Sequence, residues 1–215
     1  MSGYVLHGAV RSSAAYRVRI ALNLKGVDFS EIYLDLHAGA QNAPDYRALN
    51  PQGLVPALVA PDGTVVTQSL AIIEYLDETA DGPPLLPRDA AGRSRVRSFA
   101  QMIACDIHPI NNLRVRNHVR DLLPHDAGAQ AAWMDKWLTA GLDPIEARLA
   151  REPQTGRFIH GDQPTMADAC LVPQLNNARS SGRDLSSWPH ILRIAENCDR
   201  LPAFANARPD RIAKS

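Results

Sequence analysis

The sequence predicts a chain in two parts, an α/β front half followed by an all-α back half. Over the first eighty residues, short apolar runs alternate with helical patterns in the order β-α-β-α-β-β-α. Beyond residue 90, only long helical periodicities remain. The segment 81–90 between them contains three prolines, which remove backbone donors and fix φ. We therefore predict domains at 1–80 and 91–215, joined by a linker at 81–90.

The front half is predicted to contain both strands and helices. The strands are expected at Tyr4–His7, Glu31–Leu36, Ala57–Val59 and Val65–Thr67, and the helices at Ser12–Lys25, Pro44–Leu49 and Ser69–Glu78. The first helix has clear ends, since Ser12 or Ser13 can cap it and Gly26 can terminate it. Because this helix follows a strand directly, its unpaired backbone N–H groups point at one spot.

The back half is predicted to be entirely helical. Helices are expected at Ala91–Arg120, Ala127–Ala150, Met166–Ser180 and Pro189–Asp199. Thr165 and Asp168 have the spacing of a capping box just before the third of these helices. We interpret this pair as a folding signal and not as a catalytic one.

Charge and cysteine content favour a small ligand over nucleic acid, membrane or metal. Lys plus Arg equals Asp plus Glu at 23 each, so no global field attracts nucleic acid or an anionic membrane. Cys105, Cys170 and Cys198 are too far apart for a disulfide framework or a zinc site, and Cys105-x-x-His108 lacks a second pair. No apolar stretch has the length of a signal or a span. We expect a soluble, unprocessed, cytoplasmic protein without a metal.

The corner between the first strand and the first helix is the first candidate for chemistry. It reads Arg11, Ser12, Ser13, Ala14 and contains no cysteine, so any thiol must come from a cofactor. Lowering a thiol pKa from about 8.5 to about 6.5 takes ~2.7 kcal/mol. A helix dipole supplies ~0.3–1 kcal/mol and a hydrogen bond to a charged group ~1.5–3 kcal/mol. Both together suffice, although the corner taken alone is explained more simply by serines that only cap the helix.

Two later motifs offer groups to a peptide-like ligand. Pro56 begins a strand, and a cis Val55–Pro56 bond would present the Val55 backbone for pairing with an extended ligand; an ordinary trans proline is the alternative. Gln68 and Ser69 open the next helix, whose N-terminus suits a ligand carboxylate. Simple capping explains these two residues equally well.

Several motifs, taken in order, resemble zeta-class glutathione transferases over nearly the whole chain. The runs that carry the resemblance are Ser12–Gly26, Asn50–Leu58, Gln68–Leu76, Cys105–Asn112 and Pro164–Gln174. The resemblance implies a thioredoxin-like N-terminal domain that binds glutathione, an all-α C-terminal domain that shapes the substrate pocket, and a homodimer.

The resemblance also implies roles for individual residues. Ser12 would hydrogen-bond the glutathione sulfur with Ser13 beside it, and Val55 would pair with the backbone of the tripeptide. Gln68 and Ser69 would hold the γ-glutamyl end. Further cofactor contacts would come from Gln41, His108, Asn112 and Arg114.

Two positions depart from the family pattern. Ala14 replaces the cysteine of the usual Ser-Ser-Cys corner, which affects side reactivity more than isomerisation because a serine activates the thiol in this family. Arg179 stands one residue before the expected place of a substrate-binding arginine, and one residue turns a helical side chain by about 100°. We predict that Arg179, together with Arg11 at the pocket mouth, holds substrate carboxylates.

The activity implied is glutathione-dependent cis–trans isomerisation of a maleyl diketo acid. Maleylacetoacetate, from aromatic amino acid catabolism, and maleylpyruvate are both compatible substrates. Glutathione transfer to small α-halo acids would use the same thiolate but consume glutathione. A different class of function is also compatible, namely a non-catalytic protein-interaction module with the same fold.

Overall fold

A computed structural model describes residues 3–212 of the chain. Contacts divide these residues into two compact units. The front unit comprises residues 3–87 together with 199–212, and the helical unit comprises Arg88–Cys198. The predicted domain limits at 80 and 91 stay predictions.

The front unit is built on a four-stranded mixed sheet with the strand order β2-β1-β3-β4. The strands are β1 Tyr4–Gly8, β2 Phe29–Tyr33, β3 Ala57–Val59 and β4 Val65–Thr67. β1 pairs in parallel with β2 and antiparallel with β3, which pairs antiparallel with β4. The central strands carry the most buried residues, among them Leu6 and Leu58 at 0% exposure.

The second strand lies earlier than its predicted position at Glu31–Leu36. Its register pairs Tyr4 with Phe29 and Gly8 with Tyr33, so the ladder starts two residues sooner. The chain then leaves the sheet, because the Asp35 carboxylate accepts hydrogen bonds from the backbone N–H groups of His37 and Ala38 at 2.9 and 3.1 Å. A side chain that bonds its own following backbone ends the strand there.

The front unit also contains helices, both in its first segment and near the end of the chain. They are α1 Ser13–Lys25, α2 Pro44–Leu49 and α3 Ser69–Thr79, followed late in the chain by α10 Pro202–Asn206 and α11 Pro209–Ile212. α1 packs against both α3 and α10. Gly26 ends α1 in the left-handed conformation at φ 65°, which glycine adopts without a steric penalty.

The helical unit contains more interruptions than predicted. Its elements are α4 Ala90–Gln101, a π-helical segment Met102–Ile107, α5 His108–Asn111, α6 Leu113–Leu122, α7 Ala129–Arg151, α8 Met166–Ser180 and α9 Pro189–Asp199. The single helix predicted at Ala91–Arg120 is therefore wrong. Asn112 is extended, with ψ 168°, and its side chain accepts from the Val115 N–H at 3.0 Å, so it starts a new helix.

The capping box before α8 forms as predicted. Asp168 is 0% exposed and accepts from the Ile159 N–H at 2.9 Å, the Thr165 N–H at 2.8 Å and the Thr165 hydroxyl at 2.8 Å. Burial raises the pKa of Asp168 to about 6. This carboxyl ties the loop before α8 to the first turn of the helix. Within residues 3–212, no helix is both long and apolar enough to cross a bilayer.

Candidate functional site

Strand register brings three predicted motifs to one end of the sheet in the front unit. His7 pairs with Ala57, and Ala57 pairs with Thr67. Because β3 runs antiparallel to β1 and β4, the exit of β1, the entry of β3 and the exit of β4 lie side by side. The corner at Ser12, the backbone at Val55 and the start of α3 at Gln68 follow or precede these ends directly.

Ser12 caps α1 and keeps a donor. Its backbone is extended at φ −70° and ψ 119°, and its Oγ accepts from the Ala15 N–H at 3.2 Å. A hydroxyl has one proton to donate besides its acceptor lone pairs. Within residues 3–212, the Ser12 hydroxyl donates to no protein group. Capping and thiolate binding are thus compatible roles, and the accepted N–H polarises the hydroxyl for donation.

The residues beside Ser12 differ in exposure. Arg11 is exposed, whereas Ser13 is only 8% exposed at the first position of α1. The turn before α1 is closed by the Ser12 N–H, which donates to the Ala9 carbonyl at 3.0 Å. The Arg11 guanidinium is therefore available to an anion, while Ser13 lies behind the surface.

The loop before β3 is held by two donors that converge on one carbonyl. The Tyr46 hydroxyl and the Asn50 Nδ2 donate to the Leu54 carbonyl at 2.6 and 2.7 Å. Burial raises the pKa of Tyr46, so its phenol remains a donor. The Val55–Pro56 bond is cis. Among the described residues, the Val55 backbone N–H and carbonyl have no hydrogen-bond partner.

Gln41 lies in a short 3₁₀ turn, Ala40–Asn42, that adjoins this loop. Its backbone carbonyl is 3.2 Å from the place where a Cβ would lie at Gly53. Gly53 has φ 61°, so the close approach and the backbone conformation both favour glycine. The Gln41 side-chain Oε1 is buried and has no partner among residues 3–212.

The start of α3 combines an unusual backbone with free helical N–H groups. Gln68 has φ 71° and ψ 119°, a conformation that residues other than glycine rarely adopt, and its side chain does not cap the helix. Its Nε2 instead donates to the Gln52 Oε1 at 2.7 Å. The Ser69 hydroxyl accepts from the Arg17 guanidinium at 3.3 Å. Strain of this kind concentrates at ligand sites, and a helix N-terminus favours a carboxylate.

The remaining predicted residues lie in the helical unit. His108 begins α5 and is half-buried, and Asn112 caps α6. Arg114, in the first turn of α6, and Arg179, in the last turn of α8, are both exposed. Among the described residues, the Arg179 guanidinium has no hydrogen-bond or ion-pair partner, whereas the guanidinium of the nearby Arg183 donates to the Thr139 hydroxyl at 2.8 Å.

A cavity of about 550 Å³ runs along α4 and the π-helical segment. Its walls include Arg93, Arg97 and Asp106, and none of the predicted site residues lines it. Within residues 3–212, no three His, Cys, Asp or Glu side chains come together to hold a metal ion.

The residues that hold the site in position were not predicted from the sequence. Arg19 and Glu31 form a buried ion pair of 2.9 Å next to the corner, and Asn50 and Tyr46 brace the loop before Val55. The only sequence signal for Arg19 is a charge between the apolar residues Val18 and Ile20 of a helix buried on most sides. Its partner is distant in the chain, so the pair could not be identified from spacing.

These groups fit an extended tripeptide thiol. Ser12 offers a hydroxyl donor at a helix N-terminus, Val55 an unpaired backbone, and Gln41 an orphaned buried acceptor. The start of α3 offers N–H groups to a carboxylate. All of them lie within the front unit.

Comparison with known proteins identifies the family. The family model described as glutathione S-transferase, N-terminal domain, matches residues 11–79, and the one described as glutathione S-transferase, C-terminal domain, matches residues 126–206. The chain belongs to the glutathione S-transferase family. The predicted family and the predicted fold class, a thioredoxin-like domain followed by an all-helical one, are confirmed.

The similar members of the family include maleylacetoacetate and maleylpyruvate isomerases. Maleylacetoacetate isomerase of Rhizobium meliloti is 49% identical over 207 residues, which cover 96% of each chain. Maleylpyruvate isomerase of a Ralstonia species is 46% identical over 206 residues, covering 95% of this chain and 96% of that one. The crystal structure of maleylacetoacetate isomerase from Methylobacterium extorquens, with bound malonate and glutathione, superimposes with a TM-score of 0.93 at 44% identity, covering 96% of this chain and 97% of that one.

Proposed function

We propose that the protein is a glutathione-dependent cis–trans isomerase of a maleyl diketo acid. The observation that carries this proposal is the Ser12 hydroxyl, which caps α1 and has a proton left to donate at the end of the sheet where the Val55 backbone is unpaired. Similar family members are isomerases of maleylacetoacetate and of maleylpyruvate. The cofactor is glutathione, which the relative from M. extorquens binds.

The bound cofactor supplies a thiolate that adds to the conjugated cis double bond, allows rotation and leaves again. Ser12 keeps that sulfur ionised by donating its hydroxyl proton into a hydrogen bond, and the N-terminal dipole of α1 adds to the effect. Val55 orients the tripeptide backbone, and Gln41 accepts from it. Gln68, Ser69 and the first N–H groups of α3 hold the γ-glutamyl carboxylate.

The residues for the substrate are cationic because the substrate carries carboxylates. Arg11 and Arg179 are exposed, and we propose that they bind these groups, with His108, Asn112 and Arg114 as further cofactor contacts. Ser13 supports Ser12 at the start of α1. Malonate bound in the relative from M. extorquens is likewise a dicarboxylate. Positive charge stabilises the negative charge that develops on the substrate carbonyl as the double bond becomes single.

We also propose the roles of the two domains, the pathway, the compartment and the oligomeric state. We assign glutathione binding to residues 1–80, substrate binding to residues 91–215 and the linker to 81–90. Isomerisation of maleylacetoacetate would place the enzyme in aromatic amino acid catabolism, in the cytoplasm, as a homodimer. Among residues 3–212, Cys105, Cys170 and Cys198 form no disulfide, which supports a reducing compartment. Sedimentation at several concentrations would test the dimer.

The test is an ultraviolet assay that follows maleylacetoacetate and maleylpyruvate in parallel, with and without glutathione. We expect a change in absorbance that requires glutathione while the total thiol, titrated in the same samples, stays constant. The faster substrate, compared by kcat/KM, identifies the natural class.

Other results would favour the alternatives. Steady loss of thiol, with small α-halo acids as the better substrates, would indicate glutathione transfer instead of isomerisation. Absence of glutathione binding in calorimetry would contradict both and support an interaction module.

A further inference from the structure

Arg19 links the body of α1 to the turn that carries Ser12. Its guanidinium is 1% exposed and donates from Nη2 to the Val10 carbonyl at 2.9 Å. Nη1 donates to the Glu31 carboxylate on β2, also at 2.9 Å. One planar side chain thus binds a backbone atom two residues before Ser12 and an anchor in the sheet.

The turn has few other restraints. The Ser12 N–H donates to the Ala9 carbonyl at 3.0 Å, which closes the turn but leaves its orientation on the sheet open. The Val10 carbonyl has no backbone hydrogen-bond donor among residues 3–212, so Arg19 is its partner. Movement of this carbonyl would carry the following residues, Arg11 and Ser12, with it.

Glu31 fixes the direction of the guanidinium. Its side chain is 5% exposed, and burial raises its pKa while the charge of Arg19 lowers it. The carboxylate lies so close to Gly8 that an added Cβ there would be 2.5 Å from Oε1. Glycine at the end of β1 therefore makes room for the anion beside the corner.

An ion pair at this depth needs a reason beyond stability. Removing two charges from water costs about as much as their attraction returns, so a buried pair is weak support for a purely structural role. A bidentate guanidinium does impose a defined geometry on its acceptors. The other groups that face Arg19 are the rings of Tyr16, 5.7 Å from its Cζ, and Tyr33, which bonds Glu31.

We propose that Arg19 is a positioning residue for the thiolate chemistry. With Glu31 it fixes the Val10 carbonyl, and through it the turn 9–12, so that the Ser12 hydroxyl meets the glutathione sulfur. This inference rests on the proposed function, since it assigns no role to Arg19 other than placing Ser12.

The test measures the thiol pKa of bound glutathione, by thiolate absorbance, in Arg19→Lys, Glu31→Gln and Ser12→Ala. Lysine keeps the charge but cannot bind both acceptors in a fork. We expect Arg19→Lys to raise the thiol pKa by about one unit, which corresponds to about tenfold less thiolate below the pKa. Glu31→Gln keeps the shape of its side chain and should give a shift in the same direction.

A split in the kinetics separates positioning from general damage. In Arg19→Lys, kcat should fall about tenfold at pH values below the thiol pKa and recover as the thiol ionises at high pH. KM for glutathione should stay close to that of the wild type, because Val55 and Gln68 are untouched. A loss of kcat that is equal at all pH values would overturn the inference.

Asp77→Asn is the matched control. Lys25 and Asp77 form another buried ion pair in the front unit, at 3.6 Å, away from the corner. This variant should lose stability without a shift in the thiol pKa. If Ser12→Ala raises the thiol pKa and Arg19→Lys does not, the positioning role is wrong while the proposed function stands. If Ser12→Ala has no effect on the thiol pKa, Ser12 does not ionise the sulfur, and the positioning role of Arg19 is wrong with it.

Discussion

A set of Ser12 variants separates the two roles of this residue. The hydroxyl oxygen accepts the hydrogen bond that caps α1, whereas the hydroxyl proton is the one proposed to be donated to the bound sulfur. Ser12→Ala removes both, Ser12→Gly removes the hydroxyl but leaves a tolerated cap, and Ser12→Thr keeps both. The Ala15 N–H to Oγ distance of 3.2 Å is long, so we expect Ser12→Ala to lower the free energy of unfolding by ~0.5–1 kcal/mol. Ser12→Gly should cost only about a few tenths of a kcal/mol.

The effect on the bound sulfur should be larger and should not follow stability. A hydrogen bond to a charged group contributes ~1.5–3 kcal/mol, so losing it should raise the thiol pKa of bound glutathione by about 1–2 units. We expect this rise in both Ser12→Ala and Ser12→Gly, and little change in Ser12→Thr. Thiolate absorbance as a function of pH measures it, with urea unfolding as the parallel stability assay.

Asp89→Ala supplies the control for a lost helix cap. Asp89 caps α4 in the helical unit by accepting from the Gly92 N–H at 2.8 Å. The variant should be destabilised by about 1 kcal/mol without a change in the thiol pKa. A thiol pKa in Ser12→Gly equal to that of the wild type, or a shift that only follows the loss of stability, would contradict the proposed donor role of Ser12.

Three further predictions concern other parts of the structure. Asn50→Asp replaces an amide donor to the Leu54 carbonyl with an acceptor, so glutathione affinity should fall by about 1–3 kcal/mol in calorimetry. Gln68→Gly relieves the positive φ and should raise the melting temperature or leave it unchanged, yet weaken glutathione binding. For Asp168, the pKa of about 6 in the folded protein exceeds that of the unfolded chain. Its protonated form therefore contributes stability that is full below about pH 4 and lost as the pH rises through about 6, at most about 3 kcal/mol. Asp168→Asn should remove this slope from unfolding free energies measured over the same pH range, and an unchanged slope would contradict the assignment.

The sequence predicted elements best where local chemistry defines their ends. α8 and α9 have the predicted bounds, and the Thr165–Asp168 capping box marks the first of them. β3 and β4 also have the predicted bounds. The second strand was misplaced because its limits depend on pairing with β1, which no local pattern records.

The helical unit shows the limit of periodicity. The apolar pattern continues from α4 to α6, yet the backbone changes to a π-helical segment and then breaks at Asn112. Asn112 ends one helix and begins another by bonding the Val115 N–H. Asparagine is a strong N-cap residue, so the residue type at 112 indicated a new helix start that the apolar periodicity did not show.

At the candidate site, residue types predicted the groups that would contact a ligand. They did not predict the residues that hold those groups in position. Ser12, Val55 and Gln68 lie next to the ends of strands and helices, which the sequence pattern predicts. The contacts of Arg19 with Glu31, of Arg19 with Val10 and of Tyr46 with Leu54 span 12, 9 and 8 residues of sequence, and they appear only once the chain is folded. The positive φ of Gln68 is equally invisible, since glutamine normally avoids it.

The return of the chain to the front unit at 199–212 makes the helical unit an insertion between two segments of one fold. Phe204 of α10 is 0% exposed, and the Asn23 side chain of α1 donates to the Ala203 carbonyl at 2.9 Å. The helix α1, which Ser12 caps, therefore packs against α10 near the end of the chain. A fragment that stops at residue 87 lacks part of its own core, and shortening the tail would weaken the packing of α1, at whose start Ser12 lies.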